Sequence, residues 1–283
     1  MVDVLKIGLY DTIQDLGRTG FQEFGVPISG VMDRYSATLA NSILGNSSND
    51  AVLESVMIGP HLKFNQDTAI CISGADMNAK LNGVALKMNT AYKVKAGDVL
   101  KFGTCNYGCR GYLAVLGGFQ TEKQIGSRSM YKGVTKSYKL NKGAVLPILQ
   151  TDNYAGHSFS SVKIDKNHFE WHALDVFKGP EFELLEDIQQ QKLLNTTFSI
   201  SKDSNRMAYQ FDETLNNSLQ GIMTSLVLPG TVQVTPSGNL IVLMRDCQIT
   251  GGYPRVLQLN ESSVNRLSQL FTGDKISFKF VQF

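Results

Sequence analysis

Ala96-Gly97-Asp98-Val99-Leu100-Lys101-Phe102 has a counterpart further along the chain in Thr272-Gly273-Asp274-Lys275-Ile276-Ser277-Phe278. In both stretches a Gly-Asp turn signal comes directly before a short run of alternating apolar residues, which is typical of a β-strand. Turn signals such as Asn82-Gly83 separate other runs of the same kind. The sequence therefore predicts a mainly β protein built as barrels or sandwiches.

Two weaker similarities extend this internal repeat. Gly59-Pro60-His61-Leu62-Lys63-Phe64 resembles Gly179-Pro180-Glu181-Phe182-Glu183-Leu184, and Ile72-Ser73-Gly74-Ala75-Asp76 resembles Ile200-Ser201-Lys202-Asp203-Ser204. Two related β-barrels would explain these pairs, and chance similarity among turn-rich strands is the alternative. We expect an N-terminal β-barrel half with one helix at residues 1–155 and a C-terminal β-barrel half at residues 156–283.

Helical patterns are few. The clearest runs from Asp33 to Leu44, where Gly45-Asn46 is a typical stop signal. Its apolar stripe is predicted to comprise Tyr35, Leu39, Ile43 and Leu44. A second helix is expected to start near Ser262, and a weaker third covers about 186–194. The predicted strands are 69–72, 99–102, 111–115, 240–244 and 275–280.

Bulk composition excludes several functions. The 283 residues carry a net charge of +2 without a basic run, which argues against a nucleic-acid partner. No apolar segment approaches the roughly 20 residues that span a bilayer. The first residues lack the basic start and apolar stretch of a signal peptide, so we expect a cytoplasmic protein.

Metal sites and disulfides find little support in the sequence. The four cysteines are expected to be reduced structural thiols, although Cys105 and Cys109 could be one half of a zinc site. His168 and His172 are four residues apart and could share a helical face for a metal, but no third ligand is evident. We prefer a linker or a surface strand there and predict no metal.

The polar stretch Gly8-Leu9-Tyr10-Asp11-Thr12-Ile13-Gln14-Asp15-Leu16-Gly17-Arg18-Thr19-Gly20 is the most informative about function. Its glycines disfavour a helix, and its lack of strict alternation disfavours a half-buried strand. We therefore predict a loop that is kept for what it binds. Asp246–Pro254 has the same character, and we predict that the two loops converge on one small-molecule site.

Arginines recur in the polar clusters. The planar fork of arginine binds carboxylates through two hydrogen bonds, so two such contacts would select a small acid. The alternative is that these arginines pair with nearby aspartates and only brace loops. The arginines concerned are Arg18, Arg34, Arg128 and Arg206.

The segment Pro27–Arg34 leads into the first predicted helix. The first N–H groups of a helix are not used inside it and favour negative charge. Ser29, Met32 and Asp33 are therefore predicted to lie at a place that suits an anion or a developing oxyanion.

Eight motifs, in order, make the chain similar to the biotin-dependent carboxyltransferase family. Members of that family include the subunit of prokaryotic 5-oxoprolinase that is designated C, formerly called allophanate hydrolase subunit 2, and half of the carboxyltransferase domain of urea carboxylase. The resemblance covers almost the whole chain and implies two cyclophilin-like β-barrel subdomains with few short helices. The motifs are 12–18, 25–33, 39–41, 74–76, 110–115, 126–129, 204–207 and 250–254.

The resemblance also implies a function. It implies one component of an ATP-dependent 5-oxoprolinase complex, active only with the partner subunits A and B, that hydrolyses 5-oxo-L-proline to L-glutamate. One alternative is a carboxyltransferase that moves a carboxyl group from carboxybiotin to urea or a related small amide, with biotin as cofactor. Another is a non-enzymatic antagonist of a kinase inhibitor, which would act by protein binding.

The candidate site residues come from both loops and from the clusters between them. Arg18 or Arg206 is expected to hold a substrate carboxylate, with Asp15 or Asp246 orienting the arginine. The chain departs from the family pattern at Asn205, Ala208 and Ile249, where Asp, Gly and Thr are usual. The predicted catalytic residues are Gln14, Asp15, Arg18 and Asp246. The predicted substrate-binding residues are Thr12, Ser29, Met32, Asp33, Arg128, Arg206, Gln248, Thr250 and Tyr253.

Overall fold

The computed structural model describes residues 1–150, 165, 167–170 and 172–281. The chain divides into two compact units. The first comprises Met1–Arg18 and Ser29–Asp165, and the second comprises Thr19–Ile28 and Lys166–Phe283. The domain boundary expected between residues 155 and 156 lies outside the described residues.

The first unit contains two antiparallel sheets, and apolar side chains from both sheets form its core. Its strands are β1 (Val2–Lys6), β2 (Tyr10–Gln14), β3 (Val52–Val56), β4 (His61–Phe64), β5 (Thr68–Asp76), β6 (Lys80–Leu81), β7 (Val84–Ala85), β8 (Ala91–Val94), β9 (Val99–Lys101), β10 (Tyr107–Val115) and β11 (Val145–Leu146). One sheet has the order β11-β1-β4-β9-β6-β7, and the other has the order β2-β3-β10-β5-β8.

The second unit is built around one seven-stranded sheet of order β13-β20-β12-β19-β16-β17-β14. The pairing of β12 with β20 is parallel, and the other pairings of this sheet are antiparallel. A separate pair joins β15 to β18. The strands are β12 (Ala173–Lys178), β13 (Phe198–Ser199), β14 (Ala208–Thr214), β15 (Ser225–Leu226), β16 (Thr231–Val234), β17 (Asn239–Leu243), β18 (Thr250–Gly251), β19 (Arg255–Leu259) and β20 (Lys275–Phe280).

The seven-stranded sheet nearly closes on itself. Its outer strands, β13 and β14, meet at a bridge between Ile200 and Phe211, and the N–H of Ser201 donates to the carbonyl of Gln210 at 2.9 Å. Inside, the rings of Phe198, Phe211 and Phe278 pack with centroids 5.4 to 6.0 Å apart. The predicted fold class, mainly β with barrel-like halves and few short helices, is confirmed.

The repeat seen in the sequence is a repeated turn in the structure. The N–H of Gly97 donates to the carbonyl of Phe64 at 2.7 Å, and that of Gly273 donates to Ile200 at 2.9 Å. In each unit the carboxylate of the following aspartate accepts from the N–H three residues earlier, at 2.8 and 3.0 Å. The first predicted pair of stretches therefore forms the same hydrogen-bonded turn in each unit.

The other two similarities are not equivalent in this way. Phe64 and Ile200 each accept the hydrogen bond from the turn glycine, so Phe64 corresponds to Ile200. The predicted pairing of 59–64 with 179–184 aligned Phe64 with Leu184 and was wrong. Residues 61–64 form a strand, whereas Phe182–Leu184 forms a 3-10 turn. Residues 72–76 continue through β5, whereas β13 ends at Ser199 and residues 201–204 lie outside any strand. Turn-rich strands share composition without sharing position, which explains both errors.

The first predicted helix is confirmed as α1 (Arg34–Leu44). Asp33 caps its start by accepting from the N–H of Ser36 at 3.1 Å, and Gly45 ends it with a φ of 73°. The predicted apolar stripe is confirmed at Leu44, which is buried, and at Ile43, which packs half-buried against the same core, whereas Tyr35 and Leu39 are half-buried outside that core. The buried face carries Ser36, Ala37, Ala40, Asn41 and Leu44, because α1 packs closely on β5 and β10, where small side chains fit.

Three further helices are α2 (Asn167–Glu170), α3 (Asp187–Asn195) and α4 (Glu261–Leu267), and a 3-10 turn covers Gln22–Phe24. The third and second predicted helices correspond to α3 and α4. Since α2 ends at Glu170, His168 and His172 do not share a helical face; His168 is buried and His172 is exposed. No helix in the described part of the chain is long and apolar enough to cross a membrane.

The centre of the first polar stretch is a strand, so the prediction of a loop throughout 8–20 was wrong. Tyr10–Gln14 forms β2, and four of its five residues are buried. Ile13 contributes to the core, while Thr12 and Gln14 point to the opposite face and are buried as well. Burial on both faces removes the alternation that would have marked a strand.

Candidate functional site

Asp15, directly after β2, has a carboxylate that accepts four hydrogen bonds. Its Oδ1 accepts from the hydroxyls of Ser127 and Ser129 at 2.6 Å each and from the N–H of Gly17 at 2.9 Å. Its Oδ2 accepts from the N–H of Arg128 at 2.7 Å. These charge-assisted bonds fasten the end of β2 to the segment 127–129, which lies more than a hundred residues away in sequence.

Arg18 lies in the same corner and is only 2% exposed. One of its terminal nitrogens donates to the carbonyl of Ser129, whose hydroxyl is held by Asp15. Asp15 therefore fixes the residue that orients the Arg18 side chain. The sequence-based expectation that Asp15 orients Arg18 stays a prediction, with this contact as its physical route.

The segment that leads into α1 packs against this corner. The N–H of Val31 donates to the carbonyl of Asp15 at 2.9 Å. Gly30 has a φ of 90°, and a Cβ there would lie 2.7 Å from the carbonyl carbon of Leu16, so only glycine fits. Ser29, with a φ of 58°, is fully buried beside it.

Thr12 and Gln14 each carry a polar atom that forms no hydrogen bond within the described part of the chain. These atoms, the Oγ1 of Thr12 and the Oε1 of Gln14, are buried. The amide nitrogen of Gln14 is used, since it donates to the carbonyl of Met130 at 3.1 Å. A buried polar atom of this kind costs about 1–3 kcal/mol, so these two atoms are suited to meet a ligand.

The start of α1 is already occupied by the protein's own groups. The N–H of Met32 donates to Glu54 Oε2 at 2.7 Å, and the N–H of Asp33 donates to the hydroxyl of Tyr112 at 2.8 Å. The Asp33 carboxylate accepts from the N–H of Ser36. The N–H groups of Met32 and Asp33 are therefore used by internal acceptors, and the substrate-binding role predicted for Ser29, Met32 and Asp33 stays a prediction.

Sequence reasoning missed Glu54 and Tyr112. The Tyr112 hydroxyl donates to Glu54 Oε2 at 2.9 Å, and both side chains are essentially buried. Burial, followed by the charges of Glu54 and Asp33, raises the pKa of Tyr112 well above its usual value. A signal was present, since Glu54 is the only charged residue in the strand run Ala51–Val56.

Arg128 contributes to the Asp15 cluster through its backbone, whereas its side chain points elsewhere. One terminal nitrogen donates to Gln120 Oε1 at 2.5 Å, and the other contacts the carbonyl of Thr121. The side chain lines a small cavity of about 150 Å³ together with Lys136 and other residues. The substrate-binding role predicted for Arg128 stays a prediction.

In the second unit, Arg206 and Asp246 form a two-pronged ion pair. Arg206 Nε lies 2.8 Å from Asp246 Oδ2, and a terminal nitrogen lies 3.0 Å from Oδ1. The N–H of Asp246 also donates to the carbonyl of Arg206 at 3.0 Å. This pair joins the turn before β14 to the segment after β17. Such a link is the loop-bracing role that the sequence left open as the alternative to ligand binding.

The remaining predicted residues also lie in the second unit. Thr250 is in β18, and Tyr253 is 42% exposed. Gln248 lines a cavity of about 260 Å³ whose walls are mainly aliphatic, with Arg245 among them. Arg245 is bound by both carboxylate oxygens of Glu261, at 3.1 and 2.6 Å. Convergence of these residues with Asp15 and Arg18 stays a prediction.

The cysteines are free thiols. Burial raises the pKa of Cys71, Cys105 and Cys247 to about 12, which leaves each of them protonated at neutral pH. Among the described residues no group of three or more histidine, cysteine, aspartate or glutamate side chains is placed to hold a metal ion.

Comparison with known proteins gives the family. Residues 24–280 match the family described as carboxyltransferase domain, subdomain A and B. The chain belongs to this family. It is 30% identical over 285 residues to the 5-oxoprolinase subunit designated C of Escherichia coli (strain K12), an alignment that covers 98% of this chain and 90% of the relative.

Solved structures of carboxyltransferase-domain relatives have the same fold. The crystal structure of the K. lactis urea amidolyase superposes with a TM-score of 0.87 at 27% identity and covers 99% of this chain. The protein crystallised as TTHA0988 superposes with a TM-score of 0.83 at 26% identity over 98% of this chain. The chain spans 19% of the first and 55% of the second, so both relatives are much longer.

The departures from the family pattern lie in the second unit. Asn205 Oδ1 accepts from the N–H of Met207 at 2.8 Å, so the amide oxygen supports this turn where the usual aspartate would supply a carboxylate. Ala208 begins β14 and is paired with Leu243. Ile249 lines the aliphatic cavity of the second unit. An apolar side chain suits that wall.

Proposed function

We propose that this chain is one component of an ATP-dependent 5-oxoprolinase complex that hydrolyses 5-oxo-L-proline to L-glutamate in the cytoplasm. The support is its similarity to a bacterial 5-oxoprolinase subunit over 98% of this chain and 90% of that one. The proposal includes two partners, subunits A and B, without which the chain is inactive. ATP binds within the assembled complex.

The observation that carries this proposal is the pair of unpartnered atoms on β2. A cyclic amide offers a carbonyl oxygen and an N–H on the same edge. The hydroxyl of Thr12 donates to the carbonyl oxygen, and Gln14 Oε1 accepts from the N–H. Each contact removes the cost of a buried polar atom without a partner, so the amide is bound with direction as well as affinity.

Arg18 is the better of the two arginines considered for the substrate carboxylate. Arg206 directs its Nε and a terminal nitrogen to Asp246, so its fork is committed to a carboxylate of the chain. Arg18 is buried in the corner after β2, close in sequence to Gln14. In this proposal Asp15 acts indirectly, because it fixes the Ser129 residue that orients Arg18.

The test is reconstitution with subunits A and B, followed by measurement of 5-oxoproline-dependent ADP and glutamate formation. Thr12→Val keeps the shape and removes the hydroxyl, and we expect kcat/KM to fall about tenfold to a hundredfold. Ser55→Ala is the matched control, since Ser55 also carries a buried hydroxyl, on the neighbouring strand, but faces the other side of the sheet.

The outcomes separate the two parts of the proposal. A Thr12→Val variant with wild-type kcat/KM would exclude Thr12 from the site. A reconstituted wild-type complex that shows no 5-oxoproline-dependent ATP hydrolysis would exclude the function itself.

Carboxyl transfer is the second candidate. It is favoured by the TM-score of 0.87 to a urea amidolyase. Urea also presents a carbonyl oxygen and an N–H on one edge, so the same contacts to Thr12 and Gln14 would serve it. Urea-stimulated loss of the carboxyl group from carboxybiotin, measured with the purified chain and its partners, supports this candidate if it occurs and excludes it if it does not.

A further inference from the structure

Four basic side chains lie next to one another on the outer face of the first unit's six-stranded sheet. Lys6 on β1 lies opposite His61 on β4, and His61 lies opposite Lys101 on β9. Lys101 in turn lies opposite Lys80 on β6. The next residues along β4 and β9 belong to the core, so these four side chains face away from it. We call them the basic row; they are distant in sequence, so no basic run marks them.

The lysines of the basic row have no acidic partner among the residues that the structure describes. Other exposed lysines of the first unit do have such a partner. Lys95 is paired with Asp67 at 2.7 Å. Lys136 is paired with Glu122 at 3.0 Å. Like charges directly opposite each other destabilise a sheet, so the basic row lowers stability and its charges need an explanation.

The positive charge of the basic row comes from its lysines, because His61 is neutral at neutral pH. Partial burial, followed by the charges of Lys6 and Lys101, lowers the pKa of His61 below its ordinary value of 6.5. In the adjacent row Asp3 lies opposite Lys63, so those two charges offset each other. The lysines of the basic row are all exposed, and their charges therefore form one uncompensated strip across the sheet.

Protection against aggregation does not explain the basic row. Lysines often protect the end strand of a sheet, because they prevent it from pairing with another chain. The order of this sheet is β11-β1-β4-β9-β6-β7, so all four residues of the row lie on inner strands. The charges are placed where a partner would rest on the face of the sheet and not where a strand would extend it.

Apolar side chains at one end of the row indicate the class of partner. Leu5 and Ile7 flank Lys6 in the chain, and each is 41% exposed. A phosphate backbone is bound mainly through its charge and gains nothing from such apolar surface. A protein partner gains from both, since apolar surface adds affinity and complementary charge adds specificity and a faster encounter. The surface therefore favours a protein over a nucleic acid.

We propose that the basic row docks an acidic helix of another protein. Neighbouring strands are about 4.7–4.9 Å apart, which sets the spacing of the row. Side chains three or four residues apart on a helix have Cβ atoms about 5–6 Å apart, so glutamates on one helix face match that spacing. Same-face side chains of a strand are about 6.6–6.8 Å apart and match it less well. In the proposed complex the helix belongs to a partner subunit, and only this assignment rests on the proposed function.

The first experiment measures association of the full chain with the partner subunits A and B by surface plasmon resonance. The triple variant Lys6→Glu, Lys80→Glu and Lys101→Glu reverses the charge of the row. We expect it to bind the docked subunit about tenfold more weakly at low salt, mainly through a slower on-rate. The difference should shrink as the salt concentration rises, because exposed charges are screened.

The matched control reverses three exposed lysines of the second unit, through Lys202→Glu, Lys275→Glu and Lys279→Glu. It changes the net charge by the same amount and should keep wild-type association. Lys101→Gln checks folding, because it removes repulsion within the row and should raise Tm at low salt while association weakens. Unchanged association in the row variant, or an equal loss in the control, would overturn the assignment to the complex.

A model helix tests the basic row itself, whatever the function of the chain. A soluble helical peptide with glutamates along one face is titrated into the full chain, and the same peptide with glutamines is the control. Amide shifts at β1, β4, β9 and β6 that require the glutamates, and that disappear in the row variant, support the docking surface. No such shifts, or equally tight binding of a DNA duplex to these strands, would contradict it. A wild-type chain that binds the peptide but neither subunit would exclude the proposed complex and retain the surface.

Discussion

Asp15 and Asp246 are both buried aspartates after a strand, yet the chain satisfies them in opposite ways. Asp15 accepts from two hydroxyls and two backbone N–H groups, all of them neutral donors. Asp246 is paired with the guanidinium of Arg206. The ion pair neutralises the charge of Asp246 locally. The charge of Asp15 is retained and is stabilised by a hydrogen-bond network that ends at Arg18.

The difference indicates different purposes. Two nitrogens of Arg206 already donate to Asp246, which supports the bracing role weighed for this pair, and the ligand-binding role predicted for Arg206 and Asp246 stays a prediction. Neutral groups supply the four hydrogen bonds to Asp15, and Arg18 donates to the carbonyl of Ser129. Variants of the buried aspartates should therefore separate a stabilising pair from an organising one.

Asp246→Leu should have the largest effect on stability. It leaves Arg206 as an uncompensated buried cation, and we expect the second unit to lose about 3–5 kcal/mol of unfolding free energy. Native-state hydrogen exchange of β14 and β17 measures this loss. The double variant Arg206→Met with Asp246→Leu removes both charges and should recover most of it. A double variant as unstable as the single one would show that the charge imbalance is not the cause.

Asp15→Asn should cost less, about 2 kcal/mol, because the neutral side chain still accepts some of the four bonds. The amide nitrogen of the asparagine would take the place of Oδ2 and face the N–H of Arg128, so the hydrogen bond from Arg128 would be lost. A double-mutant cycle with Ser127→Ala should show coupling, since the two residues share a bond of 2.6 Å. Purely additive losses in denaturant unfolding would contradict this network.

Asp33→Ala removes the cap of α1 and should cost about 1 kcal/mol. Asp33 accepts from both the N–H and the hydroxyl of Ser36, at 3.1 and 2.6 Å. Asn260→Ala is the matched control in the second unit, because Asn260 caps α4 in the same manner. Urea unfolding of both variants tests whether the two caps contribute equally, and a loss confined to one would reject that equivalence.

Asp11→Asn should have the smallest effect on stability. At neutral pH it should raise the free energy of unfolding, whereas the variants above lower it. Burial raises the pKa of Asp11 above its ordinary value of 3.8. A raised pKa in the folded state means that the contribution of Asp11 to stability is full below 3.8 and is lost as the pH rises through the folded-state pKa. The free energy of unfolding of Asp11→Asn should therefore increase relative to that of the wild type as the pH rises.

Asp67→Asn supplies the contrast for this pH series. Asp67 is exposed, and a hydrogen bond from Lys95 lowers its pKa. Its contribution is present above the unfolded-state pKa and is lost as the pH falls through the folded-state value. Thermal unfolding across acid and neutral pH measures both variants. If the stability difference from the wild type changed with pH in the same way for both variants, burial would not be the cause of the raised pKa of Asp11.

Much of the fold could be predicted from local signals. The caps of α1, at Asp33 and Gly45, and the turns at Gly97 and Gly273 depend on residues that are neighbours in sequence. Their hydrogen bonds are formed by groups that a short stretch already contains. Such features need no knowledge of the rest of the chain, which is why the sequence predicts them correctly.

The site was harder to predict because its contacts are distant in sequence. Asp15 meets Ser127 across 112 residues and Glu54 meets Tyr112 across 58. The polar character of residues 12–18 indicated binding, but not that Thr12 and Gln14 lie in a strand buried on both faces. The same distance explains why the sequence did not indicate that the N–H groups of Met32 and Asp33 donate to Glu54 and Tyr112.

The near-closure of the seven-stranded sheet has a consequence for self-association. A strand whose outer N–H and C=O groups are already paired offers little to a neighbouring chain, and the bridge from Ile200 to Phe211 pairs the seam. Strand-to-strand aggregation of partly unfolded material should therefore begin away from this seam, for example at β7 or β8, each of which is an end strand of one sheet of the first unit. Cutting the seam, for example with a proline at Phe211, would create a second starting point.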